Sequence, residues 1–217
     1  MRNNTGELID KLFSRLDVWR LLPAYQLERR ADIFFAIYLD EIIKTKFGDT
    51  IDLIVPEFPV RVGDISEKVP ELNSSFKIDY VIICESTRKV YLTELKTDSR
   101  SRRDKQDWYL SKAKENNIKK LVDGLIKIYC ATSQKKKYNN LIDALTNHGW
   151  VKTGEKIPVS ICKDYDVEIV YIQPQNPDNI SNVISFNEIV TILSSNEDDL
   201  TNRFVKSLKD WTVNPND

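Results

Sequence analysis

The sequence predicts an α/β fold, a mixed sheet flanked by helices. Three observations lead there. First, Phe76 to Ile83 and Val90 to Thr97 are rich in branched and aromatic residues and read as two strands, joined by the polar stretch Glu85-Ser86-Thr87-Arg88. Second, the segments on either side carry apolar residues at helical spacing. Third, a chain of 217 residues is long enough to bury a substantial core within one domain.

Taken in order, Asn4 to Leu22 reads as an amphipathic helix, with Leu8, Leu12, Phe13, Leu16 and Trp19 recurring on one side. Asn4 and Glu7 fit a capping pair, and Pro23 ends the helix. A second helix is expected from about Tyr25 to Lys46, closed by Gly48. Ile51 to Val62 is extended but interrupted by Pro56 and Pro59, and Pro70 to Ser75 is a loop. The strand pair follows. Asp98 to Arg103 forms a charged turn into a long helix, Arg103 to Cys130, striped by Leu110, Ala113, Ile118, Leu121, Leu125 and Ile128. Ser133 to Lys137 reads as a basic loop and Tyr138 to Leu145 as a helix. Asp166 to Gln173 alternates like a strand, and Pro174 to Asn182 is a loop. Two helices close the chain, Phe186 to Ser194 and Asp198 to Trp211. The expected organisation is one domain over 1–217, with a core of about 25–173, an N-terminal helix at 4–22 and C-terminal helices at 185–211.

Composition narrows the function. The apolar fraction of 41% and charged fraction of 30% are those of a soluble globular protein. The net charge of −1 means that any nucleic-acid surface is a local patch. Cys84, Cys130 and Cys162 show neither metal-ligand spacing nor a disulfide framework, so a cytoplasmic location is expected. No apolar run is long enough to cross a bilayer, and no membrane partner is expected. His148 is the only histidine, which excludes two-histidine zinc sites and most Ser-His hydrolases. It falls in a turn after a helix and reads as a surface or capping residue.

The chemistry gathers on the strand pair. With a turn at Glu85 to Arg88, Ile83 faces Val90, Val81 faces Leu92, Asp79 faces Glu94 and Lys77 faces Lys96. Alternation puts all eight on one sheet face, apolar at the turn and charged at the open end. Two opposed carboxylates with Cβ atoms about 5 Å apart repel and should destabilise the sheet. A divalent cation between them removes the conflict.

Asp79, followed by Glu94-Leu95-Lys96 on the next strand, resembles the PD-(D/E)xK, or restriction-endonuclease-like, nuclease superfamily. The Pro that precedes the family's Asp is Ile78 here. The specific residues run from Asp79 to Lys96, and flanking elements extend the likeness from about Tyr25 to Gln173. The resemblance implies an αβββαβ core, to which this chain adds N- and C-terminal helices. It also implies a metal-dependent nuclease, a hydrolase of phosphodiester bonds by endo or exo cleavage, with Asp79, Glu94 and Lys96 catalytic. Asp79, Glu94 and the Leu95 carbonyl would hold Mg2+ or Mn2+. A helix acid completes the metal site in such proteins; Glu28 is the first choice and Asp32 the second, and the two share a helix face. Asp98 is an additional ligand or supporting group. Arg100, Arg102, Arg103, Lys105 and Gln106 form a candidate nucleic-acid contact. Gln106 and Tyr109 resemble the Gln-x-x-x-Tyr signature of RecB-like nucleases, one residue short. Trp108 and Tyr109 read first as core, with base stacking as the alternative. DNA is the expected partner, RNA and a homodimer remaining open. Two other readings stand beside this one: an inactive nucleic-acid-binding module on the same fold, and an interaction protein whose motif is accidental.

Overall fold

A computed structural model describes residues 4–66, 72–98, 104–154 and 157–213. The chain divides into two compact units, each assembled from separated stretches. One comprises Met1–Thr50, Leu95–Arg102 and Val170–Asp217; the other comprises Ile51–Glu94 and Arg103–Ile169.

The elements follow in this order: α1 (Asn4–Trp19), α2 (Glu28–Phe47), β1 (Leu53–Arg61), α3 (Val62–Ile65), β2 (Ser75–Cys84), β3 (Lys89–Leu95), α4 (Asp104–Glu115), α5 (Asn117–Ala131), α6 (Lys135–Asn147), β4 (Val151–Thr153), β5 (Pro158–Ser160), β6 (Asp166–Gln173), β7 (Val183–Ser185), α7 (Phe186–Leu193) and α8 (Asp199–Thr212). The mixed α/β expectation holds. A five-stranded sheet has the order β1-β2-β3-β6-β7, and β4 and β5 form a separate two-stranded pair. β1 and β3 both run antiparallel to β2, while β6 and β7 are parallel. The Asp166 N–H donates to the Arg88 carbonyl and the Lys96 N–H to the Ile172 carbonyl, so β6 runs in the same direction as β3. Among the described residues no helix is long and apolar enough to cross a membrane.

The first unit is built around aromatic rings. Phe204 of α8 stacks on Tyr38 of α2 at 5.5 Å and meets Phe35 edge-on at 5.2 Å. Phe13 of α1, Phe186 of α7 and Trp211 of α8 are also buried there. The polar edges are satisfied: the Tyr38 hydroxyl lies 2.7 Å from Thr201 Oγ1, and the Trp211 indole N–H donates to Asp17 at 2.8 Å. α2 ends where Gly48 takes a left-handed φ of 78° and donates its N–H to the Lys44 carbonyl. α7 begins with a reciprocal Ser185–Glu188 capping box.

In the second unit α5 packs on β1. Val55, Phe58, Val60, Ile78, Val81, Ile83, Leu121, Leu125 and Ile128 are among its buried residues. Gly124 lets the helix come close, since a Cβ there would lie 2.4 Å from Asp64 Oδ2. Asp64 in turn bonds Arg61 and Lys127, each at 2.8 Å.

Several boundaries differ from expectation. The long helix is two helices: Asn116 lies between α4 and α5, and Asn117, the first residue of α5, adopts a left-handed φ of 56°. Asn tolerates that conformation, and its side chain accepts from the Lys120 N–H at 3.1 Å, starting the new helix. The basic stretch Lys135-Lys136-Lys137 is the first turn of α6, not a loop. β1 runs through Pro56 and Pro59 without interruption, which it can do because it is an edge strand. The short elements α3, β4, β5 and β7 were not expected.

Candidate active site

The hairpin forms in the register that the alternation predicts. β2 ends at Cys84, the turn occupies Glu85 to Arg88, and β3 begins at Lys89. Arg88 takes a left-handed φ of 53° and donates its N–H to the Glu85 carbonyl, closing the turn. Ile83 pairs with Val90, Val81 with Leu92 and Tyr80 with Thr93. Carried one residue further, this register sets Asp79 against Glu94. Asp79 is half-buried, and Glu94 is 1% exposed. A carboxylate so deep in a sheet requires compensation, because its hydration is lost. Gln106, on the first turn of α4, donates a short hydrogen bond from its amide nitrogen to Glu94 Oε1. That contact explains why a Gln stands among the charged residues opening α4.

In the other unit, Leu95 and Lys96 continue the same chain segment. The Lys96 N–H donates to the Ile172 carbonyl at 2.8 Å, one residue beyond the end of β3. Its ammonium donates to the Leu95 carbonyl at 3.0 Å and lies 3.6 Å from Glu28 Oε2. The Lys96 side chain is 5% exposed and that of Glu28 is 33% exposed. Glu28 is the first residue of α2, where the helix dipole favours an acid. The first-choice helix acid, Glu28, is thus beside Lys96. Asp32 Oδ1 accepts from the N–H of Ile33 at 2.7 Å. The neighbouring Arg30 is engaged with the Tyr25 ring at 4.6 Å and the Gln26 carbonyl at 3.0 Å. Asp98 is exposed, and its charge acts on Arg20, whose pKa burial lowers against the pull of Asp17, Asp210 and Asp98.

Arg100, Arg102 and Arg103 lie outside the described residues. Lys105 sits over the Tyr109 ring at 5.6 Å. Tyr109 stacks on Phe76 at 4.8 Å, whereas Trp108 is 45% exposed and so is not the core residue first expected.

Among the described residues no group of three His, Cys, Asp or Glu side chains is close enough to hold a metal ion. The oxygen atoms that would be offered to a cation at the hairpin are those of two carboxylates, Asp79 and Glu94, with the Leu95 carbonyl next in sequence. These are all oxygen donors, and a small hard cation bound by one or two carboxylates keeps waters in its remaining positions. The donor chemistry fits Mg2+ or Mn2+.

A second polar cluster escaped the sequence reading. Glu85 Oε1 accepts from the Tyr165 hydroxyl at 2.5 Å and the Trp150 indole N–H at 3.2 Å, and it lies 2.9 Å from His148 Nε2. His148 caps the end of α6, as its place in a turn suggested. Burial tends to raise the Glu85 pKa, but the bonds from Tyr165 and Trp150 and the nearby His148 outweigh it and hold the carboxyl below its usual range. Burial, together with the bond to Glu85, pushes the Tyr165 hydroxyl up to about 12. Glu85 alone gave a signal in sequence, as a turn residue; its partners are too distant along the chain to be read.

No family model, no curated protein and no solved structure matches the chain.

Proposed function

We propose that this chain is a divalent-metal-dependent nuclease of restriction-endonuclease-like fold that hydrolyses phosphodiester bonds, with DNA as substrate. The observation that carries the reading is the hairpin register, which continues to an Asp79–Glu94 pair with Glu94 buried. The succession α2, β1, β2, β3, α4–α5, β6 supports it, since it follows the αβββαβ order with α3, α6, β4 and β5 inserted.

In this reading Asp79 and Glu94 would hold the cation, with the Leu95 carbonyl as a third oxygen. Bound there, Mg2+ would polarise the phosphate and lower the pKa of an attacking water. Gln106 fixes the Glu94 carboxylate, so that its second oxygen keeps one orientation. Lys96 brings a positive charge within two residues of Glu94, suited to the negative charge that grows on the phosphorus oxygens. Glu28 positions that ammonium.

One observation favours the alternative of an inactive binding module. Gln106 already bonds Glu94, and Lys96 already bonds the Leu95 carbonyl, so two of the expected donors are engaged internally. The test is incubation with circular and linear duplex DNA, single-stranded DNA and RNA, with Mg2+ or Mn2+ and with EDTA. Cleavage that needs the metal and disappears in Asp79→Asn and Glu94→Gln is expected. Nucleic-acid binding by the wild type without cleavage under any of these conditions would establish the binding module instead.

A further inference from the structure

The surface of α4 carries one large apolar group in charged ground. Trp108 is 45% exposed, an unusual position for the side chain with the most apolar area to bury. Lys105 stands three residues before it and Lys112 four residues after it, so both border the indole on one helix face. Asp104, Lys105 and Ser111 are exposed as well. An exposed indole edged by lysines suits an anionic ligand with a flat apolar face better than the apolar surface of a protein partner.

The indole is also held in place. Trp108 meets Tyr109 edge-on at 5.2 Å, and Tyr109 is itself stacked on Phe76 of β2 at 4.8 Å with an interplanar angle of 12°. The Tyr109 ring also has the Lys105 ammonium 5.6 Å from its centroid, and both Tyr109 and Phe76 are half-buried. Trp108 is thus the ring of this group that offers area to a ligand. The same helix, half a turn earlier, holds Gln106 against Glu94.

We infer that Trp108, bordered by Lys105 and Lys112, is a stacking platform for an unpaired nucleobase, so that the substrate is single-stranded or locally unpaired nucleic acid. The inference deepens the nuclease reading and rests on it for the identity of the ligand. A base inside a duplex presents only its edges, whereas an unpaired base presents a face to an aromatic ring. The lysines supply charge to the flanking phosphates. Lys112 is 2.5 Å from Glu115 Oε2, but the Lys112 side chain is 37% and that of Glu115 56% exposed, and a solvent-accessible pair of this kind contributes little that a phosphate could not replace.

The experiment measures fluorescence anisotropy of labelled oligo-dT and of a labelled blunt duplex, in EDTA at fixed salt, with wild type, Trp108→Ala and Trp108→Phe. Trp108→Ala should weaken oligo-dT binding roughly tenfold. Trp108→Phe should restore most of it, and duplex binding should stay the same for all three proteins. Wild-type affinity for oligo-dT in Trp108→Ala, an equal loss on the duplex, or no oligo-dT binding by the wild type would overturn the inference. Because EDTA removes the metal, the outcome is independent of cleavage. A Trp108 effect on oligo-dT by a protein that cleaves nothing would sink the nuclease reading and leave the platform standing.

Discussion

Glu85 accepts hydrogen bonds from two partners far apart in sequence, Trp150 and Tyr165, and lies beside His148. Its carboxyl is held below the ordinary range in the folded state. A depressed carboxyl contributes stability above the unfolded pKa, about 4.3, and that contribution is lost as pH falls through the folded value. Thermal unfolding should therefore find Glu85→Gln less stable than wild type near neutral pH, with the gap narrowing below about pH 4. A gap that is constant with pH would mean that the carboxylate's charge plays no part. Lys96 carries the second prediction at this scale. Lys96→Met keeps most of the side-chain volume but removes the charge beside Glu28. Single-turnover cleavage should fall by a factor on the order of 10² or more, since the lost charge acts mainly on the transition state. Cleavage at the wild-type rate would remove Lys96 from the mechanism. Asp79, Glu94 and Lys96 were legible because strand alternation places charges at fixed steps. The contacts of Gln106 with Glu94 and of Glu28 with Lys96 were not, because they depend on where helices lie in space.

Elements were legible in proportion to their length and punctuation. β6 spans Asp166–Gln173, as its alternation predicted, and Gly48 closes α2. β4, β5 and β7 have three residues each, too few for a period to register. The break between α4 and α5 was missed because the apolar stripe continues across it, from Ala113 to Ile118. The adjacent residues Asn116 and Asn117 were the available signal, since Asn favours turns and left-handed backbone. Asn117→Ala loses both the tolerance for a φ of 56° and the bond to the Lys120 N–H. It should cost about 2 kcal/mol in denaturant unfolding, whereas Asn117→Gly should cost only a few tenths. Equal losses for the two variants would show that backbone handedness does not govern this junction.

Across the whole molecule, the class of fold was legible from the succession of strand and helix patterns, but the division into two compact units was not. Each unit is assembled from separated stretches, and the chain passes from one to the other inside β3, between Glu94 and Leu95, and inside β6, between Ile169 and Val170. No change in composition marks a strand that belongs to both. With a net charge of −1 there is no global basicity, so in the proposed reading local groups would have to supply the positive charge that meets a phosphate backbone. The central claim is that Asp79 and Glu94 form one divalent-cation site. Calorimetric titration of the full chain with Mn2+ tests it most directly. The account predicts one saturable site per chain, lost in Asp79→Asn and in Glu94→Gln and retained in Lys96→Met. Absence of saturable Mn2+ binding by the wild type, or undiminished binding in both carboxylate variants, would contradict it.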